Sequence, residues 1–193
     1  NQKIRIGFIS EFFSNHTIGK LFKGIIFNLS NEKFEKFVFH SHKTDISPIY
    51  QEFLNAEKET NIKNITLSKN FQKSVNEISQ QNLDIVFFPD IGMSTEFYYL
   101  SFIRFAKIQI TSWGHPVTTS NDTIDYFLSS KTLETKDAHK RFSEKLILSD
   151  YLPMYFYKPK IKNILPEKEI VMKNLYFCSQ NLMKIHPHFD EII

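Results

Sequence analysis

Short apolar runs alternate with stretches of helical spacing along most of this chain. Lys3-Ile4-Arg5-Ile6-Gly7-Phe8-Ile9 alternates charge and bulk, then turns wholly apolar, as a strand does when it enters a buried sheet. Thr17 to Leu29 sets Ile18, Leu21, Phe22, Ile25, Ile26 and Leu29 on one helical face. Further strands are expected at Phe37 to His40, Ile62 to Leu67, Asp84 to Phe88, Ile108 to Trp113, Ile124 to Leu128 and Glu144 to Leu148. The expected helices run over Ile49 to Glu57, Phe71 to Ser79 and Ser94 to Arg104. Asp84-Ile85-Val86-Phe87-Phe88 is continuously apolar after its first residue, the mark of a strand covered on both faces. Regular alternation of strand and helix predicts an α/β fold, a Rossmann-like doubly wound parallel sheet.

Residues 1–150 would form this lobe. Pro153, Pro159 and Pro166 give residues 151–170 the composition of a linker. Residues 171–193 read as the opening of a second domain, with a strand Leu175-Tyr176-Phe177-Cys178 and a helix starting near His186. Because the chain begins with Asn1 and stops early in a helical pattern, both ends read as cuts in something longer.

Composition narrows the function classes. Of 193 residues, 41% are hydrophobic and 23% charged, as in an ordinary globular protein. No apolar run approaches the roughly 20 residues that span a bilayer. A formal net charge of +3, scattered along the chain, argues against nucleic acid as a partner. A single cysteine rules out an internal disulfide and suits a cytoplasmic setting. Within its apolar strand Cys178 is expected to be a buried, inert thiol.

Parallel sheets gather ligands beyond the carboxyl ends of their strands, which singles out the loops at 10–16, 89–93, 114–121 and 179–183. In the first, Asn15-His16-Thr17 opens a helix. His16 suits an acid, a base or a donor to an anionic oxygen, unless Asn15 or Thr17 caps the helix and His16 merely occupies the loop. The third loop, Gly114-His115-Pro116-Val117-Thr118-Thr119-Ser120, combines close backbone approach, a stiff turn and three neutral hydroxyls. It fits a sugar or phosphate edge, or else a tight turn whose threonines satisfy their own backbone. His40 with His42, and His186 with His188, lack the further ligands of a metal site. Glu144, at a strand start and away from the carboxyl edge, reads as structural. Neither a GxGxxG fingerprint nor a Gly-x-Ser-x-Gly elbow occurs.

In order and spacing, Arg5-Ile6-Gly7-Phe8-Ile9-Ser10 with Asn15-His16-Thr17, Ile108-Gln109 with Gly114 to Thr119, Ile124-Asp125-Tyr126, and Phe142-Ser143-Glu144-Lys145-Leu146 resemble the catalytic region of the O-GlcNAc transferase and SPINDLY glycosyltransferases. Asp84 to Met93 is similar to the bacterial adhesin N-glucosyltransferases of the same group. The resemblance implies the first lobe of a GT-B enzyme and an inverting transfer of GlcNAc or hexose from UDP-GlcNAc or UDP-glucose to a protein side chain, Ser/Thr first and Asn as the alternative. It further implies no resident cofactor or metal, in line with the absence of an Asp-x-Asp motif, and helical repeats upstream. By this carry-over His16 and His115 are the catalytic candidates. Asn15, Gly114, Pro116, Thr118, Thr119 and Ser120 line the substrate side. Two positions depart from the pattern: Thr17 replaces the proline that often follows the histidine, and Ser120 stands where the bacterial branch has a further histidine. The competing reading is a non-catalytic lobe that only recognises a protein; an unrelated nucleotide-binding domain is disfavoured by the missing glycine-rich loop.

Overall fold

Strand β1, Ile4–Ile9, lies third in a seven-stranded sheet whose strands all run parallel in the order β3-β2-β1-β4-β5-β6-β7, with β4 at the middle. The other strands are β2 Phe34–His40, β3 Ile62–Thr66, β4 Ile85–Phe88, β5 Ile108–Ser112, β6 Tyr126–Ser130 and β7 Lys145–Ser149. Among the described residues four α-helices cover it: α1 Thr17–Asn28, α2 Pro48–Thr60, α3 Phe71–Ser79 and α4 Thr95–Ser101. This computed structural model describes residues 2–42, 47–158 and 178–191. Two compact units divide the chain, Asn1–Tyr157 and Lys158–Ile193.

Strand pleating explains the two-sided core. Ile6 and Phe8 of β1, Val38 of β2 and Phe87 of β4 pack on one face against Phe22 and Ile26 of α1 and Phe53 of α2. The alternate residues Ile9, Phe37, Phe39, Val86 and Phe88 turn to the other face, against Ile78 of α3 and Phe97 and Leu100 of α4. The doubly wound parallel sheet expected from the sequence is therefore present.

Regular alternation ends after β5. No α-helix joins β5 to β6, and β6 reaches β7 through a single 3-10 turn, Ala138–Arg141. Pro116 and the β-branched pair Thr118-Thr119 disfavour a helix there, and the loop takes its hydrogen bonds from side chains instead. Helix α4 also stops at Ser101, short of Arg104.

The first residues of the expected linker belong to the sheet's unit. Tyr155 packs over Gly24, its amide donates to Leu21 O at 3.0 Å, and Asn28 Nδ2 donates to Tyr157 Oη at 3.0 Å. In the second unit, the expected strand at Leu175 to Phe177 lies outside the described residues. Cys178 is exposed rather than buried. The expected terminal helix is instead a pair of 3-10 turns, Leu182–Lys184 and Pro187–Glu191. No helix among the described residues is long and apolar enough to cross a membrane.

Candidate functional site at the carboxyl edge of the sheet

The order of strands reverses between β1 and β4, the two central neighbours, and open α/β sheets bind ligands above such a point. Here the loops after β1, β4 and β5 converge. A shallow groove of about 500 Å³ lined by Leu83, Asp84, Arg104 and Lys107 lies at the opposite, amino edge, where parallel sheets do not place their chemistry.

The loop after β1 is built on Ser10, which is fully buried. Its hydroxyl donates to Asp90 Oδ2 at 2.9 Å and accepts from the Phe12 amide at 2.9 Å, so it joins two loops 80 residues apart in sequence. The Asn15 amide donates to Ser47 Oγ at 3.1 Å, tethering the loop to the start of α2.

His16 itself is the N-cap of α1, a role sequence reasoning gave to Asn15 or Thr17. Its Nδ1 accepts from the Ile18 amide at 3.2 Å, and its ring lies 4.5 Å from the Phe12 ring at 32°. Histidine is not among the usual capping residues, which is why the role was not legible. Burial, and secondarily the charge of Lys20, hold the imidazole below the ordinary histidine pKa and so neutral at pH 7. With Nδ1 accepting, the ring proton of the neutral form sits on Nε2. Of acid, base and donor, this arrangement favours a hydrogen-bond donor.

After β4, Gly92 has a φ of +100°, and the His115 ring lies so close that a Cβ there would come within 2.9 Å of His115 Cδ2. Gly114 donates its amide to Pro89 O at 2.9 Å and would collide with both that carbonyl and Ile18 if it carried a side chain. This close approach seats the His115 loop on the β4 loop and on Ile18 in the first turn of α1, the helix that His16 caps.

The remainder of the loop turns elsewhere. Thr118 Oγ1 lies 2.9 Å from Glu144 Oε2, and the Thr119 amide donates to Glu144 Oε1 at 2.7 Å. The Thr119 hydroxyl donates to the same carboxylate. Both threonine hydroxyls are thus engaged by Glu144, which is itself buried. Burial alone would raise its pKa, but the bonds from Thr119, the backbone and Thr118 win and hold it below the usual carboxylate range. Ser120 is exposed with a φ of +51°, and Asn15 and Pro116 are exposed as well. Of the residues named from sequence, His16, Gly114 and His115 gather at the switch point.

Sequence reasoning passed over Asp90 as a site residue. It is 6% exposed, directly beneath the loops that carry the two histidines. Burial dominates its electrostatics; the Ser10 bond opposes that effect and Glu11 adds to it, and the pKa is pushed up to about 7. Glu11 in turn accepts from the Ser94 hydroxyl at the start of α4. The available signal was an acidic residue placed immediately past a buried central strand and its proline.

No three His, Cys, Asp or Glu side chains converge as metal ligands among the described residues. His40 bonds Asn64 through Nε2 at 2.9 Å among Phe13, Tyr50 and Phe53, and His42 lies 3.6 Å from Glu96.

The sequence profile of glycosyl transferase family 41 matches residues 1–183. The chain belongs to glycosyl transferase family 41. Two UDP-glucose:protein N-beta-glucosyltransferases of Actinobacillus pleuropneumoniae, from serotypes 7 and 5b, are 32% and 31% identical to it over 114 residues. That match takes in 56% of this chain and 18% of each relative, so the chain spans under a fifth of the curated relatives' length. A mutant O-GlcNAc transferase of Thermobaculum terrenum superposes on 79% of this chain with a TM-score of 0.68 at 14% identity, over 29% of its own length. The expected fold, a Rossmann-like lobe of a GT-B glycosyltransferase, is the one found. In this family-41 lobe the two histidine loops lie at the edge where a parallel sheet receives its ligand.

Proposed function

We propose that the protein transfers a sugar from a UDP-sugar to a protein side chain, and that this lobe supplies His16 and His115 to the reacting centre. The observation that carries the reading is the family-41 match over a chain whose histidine loops meet at the switch point. In the inverting displacement proposed, an acceptor atom bonds to the anomeric carbon as the bond to the diphosphate breaks. UDP leaves with the electron pair, and the acceptor's proton passes to solvent.

A neutral His16 with its proton on Nε2 would orient an oxygen of donor or acceptor by hydrogen bonding, without serving as nucleophile. The UDP-sugar is co-substrate, with no resident cofactor or metal in the proposal. A Ser/Thr acceptor is the first reading. Transfer of glucose to an Asn nitrogen is the second, favoured by the names of the Actinobacillus relatives. A cytoplasmic setting and upstream helical repeats belong to the same proposal.

Substitution of His16 by Asn tests it, because Asn caps a helix well but lacks the imidazole donor. In the full-length protein, His16→Asn and His115→Ala should each lower transfer roughly 100-fold, the usual cost of a donor at the reacting centre. Their cooperative unfolding should match that of the parent. Unchanged turnover in both variants would remove the histidines from the site.

A further inference from the structure

We propose that Asp90 is a positioning residue for His16, acting through the Ser10 hydroxyl and the backbone and ring of Phe12. The inference rests on the reading above for what His16 does, but the chain of contacts stands by itself. Ser10 donates its only hydroxyl proton to Asp90 Oδ2 at 2.9 Å, which fixes the rotor and aims a lone pair at the Phe12 amide, also 2.9 Å away. The Phe12 carbonyl then accepts from the Ser14 amide at 2.7 Å, closing a tight turn. That turn sets the Phe12 ring against the imidazole, whose Nδ1 is pinned by the Ile18 amide. Each link is short, and both Ser10 and Asp90 are buried, so a change at the carboxyl has few ways to dissipate before it reaches His16.

A neutral amide in place of Asp90 would tie the two loops together at lower cost, since burying a carboxyl without a cationic partner is unfavourable. What the carboxyl adds is a second state. Ionised, it binds the Ser10 hydroxyl more strongly and repels Glu11; protonated, it does neither to the same degree. The groups that bear on this unit are Glu11 beside Ser10, His115 over Gly92 two residues past Asp90, and Lys20 of α1 facing His16. Glu11 is held in place by Ser94 at the start of α4.

The full-length protein labelled at histidine Cε1 provides the test. Its His16 resonance, assigned by loss in His16→Asn, should show two inflections with pH. One is its own, below the ordinary histidine value, and the other, near pH 7, comes from Asp90. Asp90→Asn should abolish the upper inflection and keep the lower. In transfer assays Asp90→Ala should lower kcat roughly tenfold with the KM for UDP-sugar unchanged, as a small displacement of a catalytic group does. Asp90→Asn, which restores an acceptor to Ser10, should recover most of that loss. A single inflection in the parent, or two unchanged inflections in Asp90→Asn, would overturn the proposal; this comparison holds even if Asp90→Ala fails to fold. Two inflections that respond to Asp90 in a protein without transfer activity would support the positioning role and defeat the functional reading instead.

Discussion

Replacing Asp90 by Asn is expected to stabilise the protein at pH 8 and to leave it nearly unchanged at pH 4. The pKa of Asp90 is raised from 3.8 to about 7 in the folded state, so the native protein holds this proton more tightly than the unfolded chain does. The associated stability is fully present below about pH 4 and is lost progressively as pH rises through 7. A shift of that size corresponds to about 4 kcal/mol across the window, at 1.36 kcal/mol per pH unit. Asn keeps an acceptor for Ser10 and has no charge to bury. Urea unfolding of parent and variant at both pH values gives the result, because carboxylates remote from Asp90 titrate alike in the two proteins and cancel, and relief of the repulsion with Glu11 acts in the same direction. A stability difference that does not grow with pH would mean that Asp90 titrates as an ordinary carboxylate.

Truncation of Glu144 should have an effect of similar size and opposite sign. Its buried carboxylate receives the Thr119 amide, the Thr119 hydroxyl and the Thr118 hydroxyl; Glu144→Ala would orphan the two Thr119 donors, while Thr118 keeps Ser143 Oγ at 2.9 Å. At roughly 1–3 kcal/mol for each unsatisfied group, tempered by water entering the gap, the expected loss is about 3 kcal/mol. Because the folded-state pKa is lowered, this contribution is present above the usual Glu range and fades as pH falls through the lowered value. Denaturant melts at pH 7 and pH 3 should therefore show the variant's deficit shrinking in acid. A deficit under about 0.5 kcal/mol at pH 7, the range of an ordinary surface substitution, would mean that the loop 114–120 does not depend on Glu144.

Local patterns made the sheet legible, and contacts between distant segments hid much of the site. The apolar run after Asp84 is a buried central strand, β4, and the helical spacing from Thr17 marks α1 nearly to its end. Beyond β5 no helical spacing is present and none forms: Trp113 to Asp125 crosses back as a loop, held by Glu144 and by Gln109, which bonds the Thr123 carbonyl. No periodicity reports bonds of that kind. His16 and Gly114 were visible as residue types in loops, but the ring's use as a helix cap depends on geometry that sequence does not display. Asp90 was overlooked because its importance comes from burial and from Ser10, 80 residues earlier. Cys178 illustrates the reverse error, a residue in apolar surroundings in sequence that is exposed in the structure.

The central claim, sugar transfer to protein, is tested most directly by intact-mass analysis of an acceptor polypeptide bearing Ser, Thr and Asn. The acceptor is incubated with the full-length protein and either UDP-glucose or UDP-GlcNAc. One sugar type is expected to be added, with the modified residue located by fragmentation, and the product should be almost completely lost with His16→Asn. Absence of any sugar adduct from folded full-length protein with both donors, across Ser, Thr and Asn acceptors, would contradict it.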